Sequence, residues 1–266
     1  MEAIVRPSLR NMEFGMKLIA ALGLAAVLAG AAMPSAPPAR ADEFTAAQKQ
    51  ELGAFFHDYL VSHPEVLKEA IEALDKHDKE AADAERQKVV TSQAGPLFSS
   101  KYQATIGNPN ATATLVEFFD YNCGYCKRAL PDMMKLLQTD QNLRFVLKEF
   151  PVLGEGSVEA AHVAVAARMQ DPTGAKYIEF HQKLLGGRGA ADKTRALAVA
   201  KEVGFDMGRL MKDMDSDEVK TTIAENLKLA DTLGIDGTPS YVVGDELVVG
   251  AVGYDELQKK IAASRK

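Results

Sequence analysis

The sequence predicts an α/β domain that carries a helical insertion and follows a helical N-terminal segment. Two observations predict this class. Runs rich in β-branched and aromatic residues occur within 114–150 and again within 240–249, whereas residues 154–234 between them have an almost wholly helical pattern. The composition, 47% hydrophobic and 26% charged, is that of an ordinary globular chain.

Residues 1–41 have the pattern of a secretory signal peptide. Lys17 precedes an uncharged apolar run over 18–33, which is shorter than the ~20 residues of a membrane-spanning helix. A small-residue cleavage site ends at Ala41, and Met16 is an alternative translation start. We therefore expect an exported protein with no membrane insertion after cleavage. An uncleaved anchor or a buried helix is the alternative.

Charge and cysteine content exclude several classes of protein. The net charge is −6 and no basic block occurs, which argues against nucleic-acid binding. Two cysteines are too few for a disulfide-stapled scaffold or a four-thiolate zinc site. The five histidines show no ligand spacing with one another or with the cysteines, so we expect no dedicated metal site and no bound cofactor.

The sequence predicts that residues 42–95 form a helical segment outside the main domain. Thr45 and Gln48 form a capping box for a first helix, Pro64 suits the first turn of a second, and the pattern after residue 74 is charged. Each helix has a short apolar stripe: Leu52, Phe55, Phe56, Tyr59 and Leu60 in the first, and Val66, Leu67, Ala70, Ile71 and Leu74 in the second. So few apolar residues cannot form a core alone. We expect residues 43–94 to assemble homo-oligomers as a hairpin with a charged stalk; packing against the main domain is the alternative.

The main domain, residues 96–266, combines strands and helices. A β-branched and aromatic run is followed directly by a helix that begins at the cysteines and that we expect to be kinked or interrupted at Pro131. After a second strand comes the helical insertion, at about 154–234, and a strand hairpin and a last helix complete the domain. The predicted elements are strands over Thr114–Phe119, Leu143–Phe150, Ser240–Val243 and Glu246–Val249, with helices up to Leu137 and over Tyr254–Ala263.

The two cysteines are separated by two residues, in the order Cys123, Gly124, Tyr125, Cys126. They stand where a buried strand meets a helix N-terminus, whose free backbone amides favour an anion. We therefore expect Cys123 to be the attacking thiolate and Cys126 to be the shielded thiol that resolves a mixed disulfide. An inert structural disulfide and a two-thiolate Cu(I) site are the alternatives.

The segment VEFFDYNCGYC at 116–126, with LPDM at 130–133, resembles the active-site segment of the DsbA-like branch of the thioredoxin superfamily. GIDGTPSYVVGDELVVGAVGYDEL at 234–257 resembles the C-terminal part of the same family. The resemblance covers about residues 101–264 and implies a thioredoxin-like fold with an inserted helical subdomain. It also implies a periplasmic thiol:disulfide oxidoreductase that acts on substrate proteins, exchanges electrons with a membrane redox partner and needs no cofactor. The N-terminal extension is similar to that of ScsC-type (suppressor of copper sensitivity) proteins, some of which oligomerise through it and shuffle disulfides.

The resemblance assigns further site residues. Thr238 precedes Pro239, which corresponds to the cis-proline that packs against the redox cysteines. Glu117 corresponds to a buried acid that accepts or relays the proton of Cys126, and Lys148 on the next strand is a candidate to neutralise it. The strongest oxidases of the family carry His where this sequence has Tyr125, so we expect a milder redox couple.

These observations favour a disulfide isomerase or reductase that works as an oligomer. Several active sites around a shared cleft can hold a misfolded client, and assembly separates them from an oxidase's redox partner. Two alternatives remain. One is a monomeric DsbA-like dithiol oxidase, and the other is a periplasmic Cu(I)-binding copper-tolerance protein that uses the same thiols.

Overall fold

The computed structural model describes residues 44–265. They form two compact units, of which the first ends at His63 and the second begins at Pro64. The expected signal peptide over 1–41 lies outside the described residues. Within 44–265, none of the helices is both long and apolar enough to cross a membrane.

In the first unit, the described residues 44–63 form the helix α1 (Ala46–Ser62). The predicted capping box at its start is confirmed: the Thr45 hydroxyl accepts a hydrogen bond from the Gln48 amide at 3.2 Å, and the Gln48 side chain accepts one from the Thr45 amide at 2.9 Å. No residue of α1 is buried, and the ring of Phe55 is among the most exposed apolar groups of the chain. The helix therefore has local stability but no core of its own.

The second unit begins with α2 (Pro64–Ser92) and α3 (Ala94–Phe98). The apolar and charged parts predicted for this region belong to the single helix α2. Its only buried residue is Val90, which lies in one apolar cluster with Leu97 of α3 and with residues of the sheet. The C-terminal end of the 42–95 segment is thus part of the packed domain.

A five-stranded mixed sheet forms the centre of the second unit, in the order β1-β3-β2-β4-β5. β2 and β3 are parallel and the other neighbouring pairs are antiparallel. The strands are β1 (Ala104–Gly107), β2 (Ala113–Phe119), β3 (Leu143–Glu149), β4 (Ser240–Val243) and β5 (Glu246–Val249). The last four match the predicted strands within one residue, whereas the short edge strand β1 was not predicted.

Helices cover the sheet and form the insertion. α4 (Gly124–Thr139) follows β2 and runs through Pro131 as one helix, so Pro131 does not interrupt it. The insertion between β3 and β4 contains α5 (Glu155–Arg168), α6 (Ala175–Gly186), α7 (Lys193–Val203), α8 (Met207–Asp213) and α9 (Asp217–Thr232), and the last helix is α10 (Tyr254–Ala263). All five inserted helices lie within 154–234, so the predicted α/β class with a helical insertion is confirmed.

Alternation along β2 divides its side chains between two cores. Leu115 and Phe119, and by the two-residue period Glu117, point to the first face, where the core includes α4 and the insertion. Val116 and Phe118 point to the second face, where they pack with the ends of α2 and α3 and with part of α9. Glu117 and the C-terminal end of α2 therefore lie on opposite faces of the sheet.

The expectation that Lys148 neutralises Glu117 is wrong. In the sheet register Glu117 pairs with Leu147, and Lys148 pairs with Phe118, which belongs to the second face. The Lys148 ammonium donates a hydrogen bond to the Pro96 carbonyl at 2.7 Å. Burial lowers its pKa to about 8, partly offset by the negative charge of Glu225. Lys148 therefore holds α3 on the second face and does not contact the acid.

Candidate active site

The chain turns from β2 into α4 at Cys123, which is the N-cap residue of the helix. Its sulfur accepts a hydrogen bond from the Cys126 amide at 3.4 Å, one of the amides that the first helical turn leaves without an intrahelical partner. Both cysteines are reduced and buried. The strand-to-helix junction thus brings the two thiols together at a helix N-terminus, as the sequence predicts.

The loop before β4 completes the site from the other side. The Thr238–Pro239 peptide bond is cis, as the resemblance implied. The Cys123 thiol donates a hydrogen bond to the Thr238 carbonyl at 3.1 Å, and the Pro239 carbonyl accepts one from the Gly250 amide at 2.9 Å. Segments far apart in the sequence therefore meet at Cys123.

Cys126 is shielded from solvent on the first face of the sheet. Its exposed fraction is 0%. Burial raises the pKa of the Cys126 thiol well above its ordinary value, and the nearby Glu117 carboxylate raises it further. Cys126 therefore stays protonated until a base takes its proton, while Cys123 is the sulfur that stands at the helix N-terminus.

Glu117 is a buried acid on β2, with 3% of its surface exposed. Burial raises its pKa to about 8, and a hydrogen bond donated by the Tyr241 hydroxyl at 3.5 Å acts in the opposite direction. A carboxyl with this pKa exchanges a proton near neutral pH, which suits general acid–base transfer to a thiol. The structure thus places Glu117 where the resemblance implied.

Two polar residues at the site were missed by sequence reasoning. Tyr241 pairs with Glu117 across the sheet, and Asp120 is a buried carboxylate between β2 and Cys123. The Asp120 carboxylate accepts hydrogen bonds from the Ser157 hydroxyl and from the backbone amides of Asn122, Val152 and Leu153 at 2.7–3.0 Å. The available signal for Asp120 was its position directly after an apolar strand. No short sequence motif predicts which groups its carboxylate binds.

The outer edge of the site is aromatic and basic. Tyr125, between the two cysteines, is 60% exposed, and the Arg128 guanidinium stacks on its ring at 4.0 Å from the centroid. Such a stack presents a flat apolar surface that also carries positive charge.

A dithiol at a helix N-terminus, facing a cis-proline and backed by a buried acid, defines a thioredoxin-fold thiol–disulfide oxidoreductase. Comparison with protein families gives the particular branch. The DSBA-like thioredoxin domain matches residues 114–262, and the copper resistance protein ScsC N-terminal domain matches residues 48–81. The chain belongs to the DsbA-like thioredoxin-domain family, and the thioredoxin-like fold predicted for it is confirmed.

Two solved structures agree with this assignment, and a curated relative matches over part of its length. A thioredoxin-like oxidoreductase from Silicibacter pomeroyi is 45% identical, with a TM-score of 0.61 over 64% of this chain and 96% of that one. A linker-deletion variant of Proteus mirabilis ScsC is 30% identical, with a TM-score of 0.63 over 84% of this chain and 98% of that one. The Na(+)/H(+) antiporter NhaA 1 of Salinispora arenicola is 28% identical over 158 residues, 59% of this chain. The match spans only 24% of the antiporter.

Proposed function

We propose that the protein is an exported disulfide isomerase or reductase that acts as a homo-oligomer assembled through residues 43–94. The observation that carries this proposal is the exposed apolar surface of the N-terminal segment. In α1 the rings of Phe55 and Phe56 are 61% and 52% exposed, and in α2 the side chains of Ile71 and Leu74 are 58% and 59% exposed. Apolar groups repeated in this way along helices are typical of a surface that a second copy covers.

The similarity of this segment to a named domain supports the same proposal. The ScsC N-terminal domain matches residues 48–81, which include the exposed apolar residues of both helices. The charged part of α2 after residue 74 carries little apolar surface of its own, and Val90 then joins the core of the sheet. We therefore assign residues 46–74 to assembly of the homo-oligomer. The C-terminal end of α2 attaches this segment to the main domain.

The exchange reaction assigns a role to each thiol. The Cys123 thiolate attacks one sulfur of a client disulfide, so a Cys123–client disulfide forms, the client S–S bond breaks and a client thiolate leaves. In isomerisation, a client thiolate attacks the mixed disulfide, which forms a new client disulfide and releases Cys123. In reduction, Cys126 gives its proton to the Glu117 carboxylate and attacks Cys123, so the client leaves reduced and a Cys123–Cys126 disulfide remains.

Isomerisation and reduction of clients both require the protein in its reduced, dithiol form. After reduction of a client, an external dithiol must reduce the Cys123–Cys126 disulfide, and we assign this step to a membrane redox partner in the periplasm. Tyr125 in place of a cationic residue supports a mild redox couple, because no positive charge from that position stabilises the thiolate. Thr238 and Pro239 border Cys123 and leave the edge of the loop open to an extended client segment.

Reactivation of a scrambled-disulfide substrate by the reduced full-length protein tests the proposal. The key variant combines Phe55→Glu and Ile71→Glu, and the matched control is Met211→Glu, which alters an apolar side chain of α8 that is 48% exposed. We expect the wild type and the control to be oligomeric by light scattering and active. The double variant is expected to be monomeric and to lose most of the reactivation, and Cys123→Ser gives the background rate.

Other outcomes of this experiment would replace the proposal. A monomeric wild type without reactivation, combined with a strongly oxidising equilibrium with glutathione, would indicate a dithiol oxidase. Tight Cu(I) binding that Cys123→Ser removes, without any exchange activity, would indicate a copper-binding protein. Within residues 44–265, no three His, Cys, Asp or Glu side chains are grouped so as to hold a metal ion. A copper site would therefore have to use the two thiols.

A further inference from the structure

The side chain of Asn122, the residue before Cys123, joins the redox loop to the helical insertion. Its Nδ2 donates hydrogen bonds to the Ser157 hydroxyl and to the Ala191 carbonyl, each at 2.9 Å. Its Oδ1 accepts a hydrogen bond from the Ala191 amide at 2.6 Å. Both N–H groups and the oxygen of the carboxamide are therefore used, and all three bonds end on the insertion.

The backbone of Asn122 is held by the same cluster. Its amide donates to Asp120 Oδ1 at 2.7 Å, and the Ser157 hydroxyl donates to that same oxygen at 2.7 Å. Ser157 thus accepts from the Asn122 side chain and donates to the Asp120 carboxylate. The residue before the nucleophile is fixed from both its peptide and its side chain.

The two inserted segments reach Asn122 because they can approach each other closely. Ser157 is on α5, and Ala191 lies between α6 and α7; both are buried. A Cβ added to Gly156 would lie 3.0 Å from the Ala191 carbonyl oxygen and 3.9 Å from Asn122 Nδ2. Glycine at 156 therefore permits the spacing on which the Asn122 hydrogen bonds depend.

The geometry points to Asn122 as a positioning residue that couples the insertion to the reactivity of Cys123. Asn122 does not touch the sulfur. By fixing the preceding peptide, it holds Cys123 Sγ where the Cys126 amide donates to it and the Thr238 carbonyl accepts from it. This inference rests on the proposed thiol exchange and adds that the insertion helps to set the chemistry of the dithiol.

The test compares Asn122→Ala with Asn142→Ala in the full-length protein. Asn142 is a matched control because its side chain makes a similar pair of bonds, donating to the Thr112 hydroxyl at 2.7 Å and accepting from the Thr112 amide at 3.0 Å. The readouts are the rate of Cys123 alkylation by iodoacetamide at fixed pH, the equilibrium constant for oxidation of glutathione by the protein disulfide, and urea unfolding. The two chemical readouts need no client protein, and urea unfolding is compared at one protein concentration.

We expect Asn122→Ala to lower both the alkylation rate and the equilibrium constant by about three- to tenfold, the factor that corresponds to one net hydrogen bond. Both readouts should fall because a loosened loop stabilises the Cys123 thiolate less. A smaller fraction of thiolate slows alkylation. A less stable reduced form favours the protein disulfide, which lowers the equilibrium constant for oxidation of glutathione. Asn142→Ala should lower stability but leave both chemical readouts within about twofold of the wild type.

A second variant keeps the inference testable if Asn122→Ala does not fold. Ser157→Ala removes one of the three carboxamide contacts and should shift both chemical readouts in the same direction by a smaller factor. The inference is overturned if a folded Asn122→Ala, or Ser157→Ala in its place, loses stability while both readouts stay at wild-type values. A wild type that fails to exchange with glutathione would instead refute the proposed function.

Discussion

At the scale of single residues, the candidate site contains two groups that burial holds in their protonated forms. The pKa of the Cys126 thiol is raised by burial and by Glu117, and burial raises the pKa of Glu117 to about 8. Resolution of a mixed disulfide requires Cys126 to lose its proton. The ionised fraction of Glu117, which can accept that proton, increases as the pH rises toward 8.

Glu117→Gln tests this assignment. An amide of the same shape cannot accept the proton, so we expect the resolution step to slow by at least about tenfold and to lose its increase in rate up to pH 8. The measurement is the single-turnover rate at which Cys126 releases the client thiol from a preformed Cys123–client disulfide, between pH 6 and 9.

Glu149→Gln is the matched control for this prediction. Glu149 is also buried, and burial raises its pKa to about 8, but it accepts its hydrogen bond from the Tyr177 hydroxyl at 2.7 Å. A wild-type rate and pH profile in Glu117→Gln would show that another base serves Cys126.

Residue-level prediction from the sequence was possible where a motif existed. The cysteine pair, the residue at 239 and the acid at 117 each stand at a recognisable position relative to the thiols. Asn122 could not be identified, because its partners lie 35 and 69 residues further along the chain. Lys148 was placed on the wrong face because the register between two strands is set by tertiary pairing, which one sequence does not show.

At the scale of elements, α2 combines two parts with different roles. Most of the helix is exposed, and its hydrogen-bonded turns continue to Val90, where the side chain enters the core of the sheet. α3 follows directly and buries Leu97 completely. The charged stretch could be predicted as a helix from its composition, but the point at which it becomes part of the domain depends on contacts with β5 and α3.

Leu97→Ala should therefore destabilise the main domain. Removing a completely buried Leu side chain costs about 2–5 kcal/mol of unfolding free energy through lost burial and the cavity left behind. Met211→Ala in α8 is the control, because this side chain is 48% exposed, lies outside the segment proposed for assembly, and should change stability by less than about 0.5 kcal/mol. Urea unfolding of the two variants makes the comparison, and equal costs would show that α3 does not belong to the domain core.

Element prediction failed at β1. This strand contains only Ala104–Gly107 and lies at the sheet edge, and no turn motif joins it to a partner strand. β4 and β5 are equally short but were predicted, because Gly244 and Asp245 form a turn between two Val-rich runs. The inserted helices lie within the predicted helical range. Turn signals, rather than length, decided which short strands could be predicted.

At the scale of the whole molecule, buried ionisable groups determine how stability depends on pH. The unfolded chain loses the protons of Glu117 and Glu149 near pH 4.5, whereas the folded protein keeps them up to about pH 8. Stability therefore falls as the pH rises through this window. Burial lowers the pKa of His181 to about 3, so its contribution acts in the opposite direction but only below about pH 6.5.

We expect the unfolding free energy of the reduced protein to fall between pH 6.5 and 8, by at most about 1.4 kcal/mol per pH unit for each buried carboxyl. Glu149→Gln should remove about half of this dependence and stabilise the protein more at pH 8 than at pH 6.5. The exposed residue Glu51 supplies the control substitution, Glu51→Gln, which should leave the slope unchanged. A flat wild-type profile over this range would contradict the assignment.

The alternation of β2 has a further consequence for engineering the chain. Glu117 and Phe118 are adjacent on one strand but belong to opposite faces, and the end of α2 packs with Phe118 on the second face. Changes to the segment before Val90 therefore reach the sheet through the second face. That segment can be exchanged in a chimaera while the first face stays intact, provided that no insertion shifts β2 by a single residue.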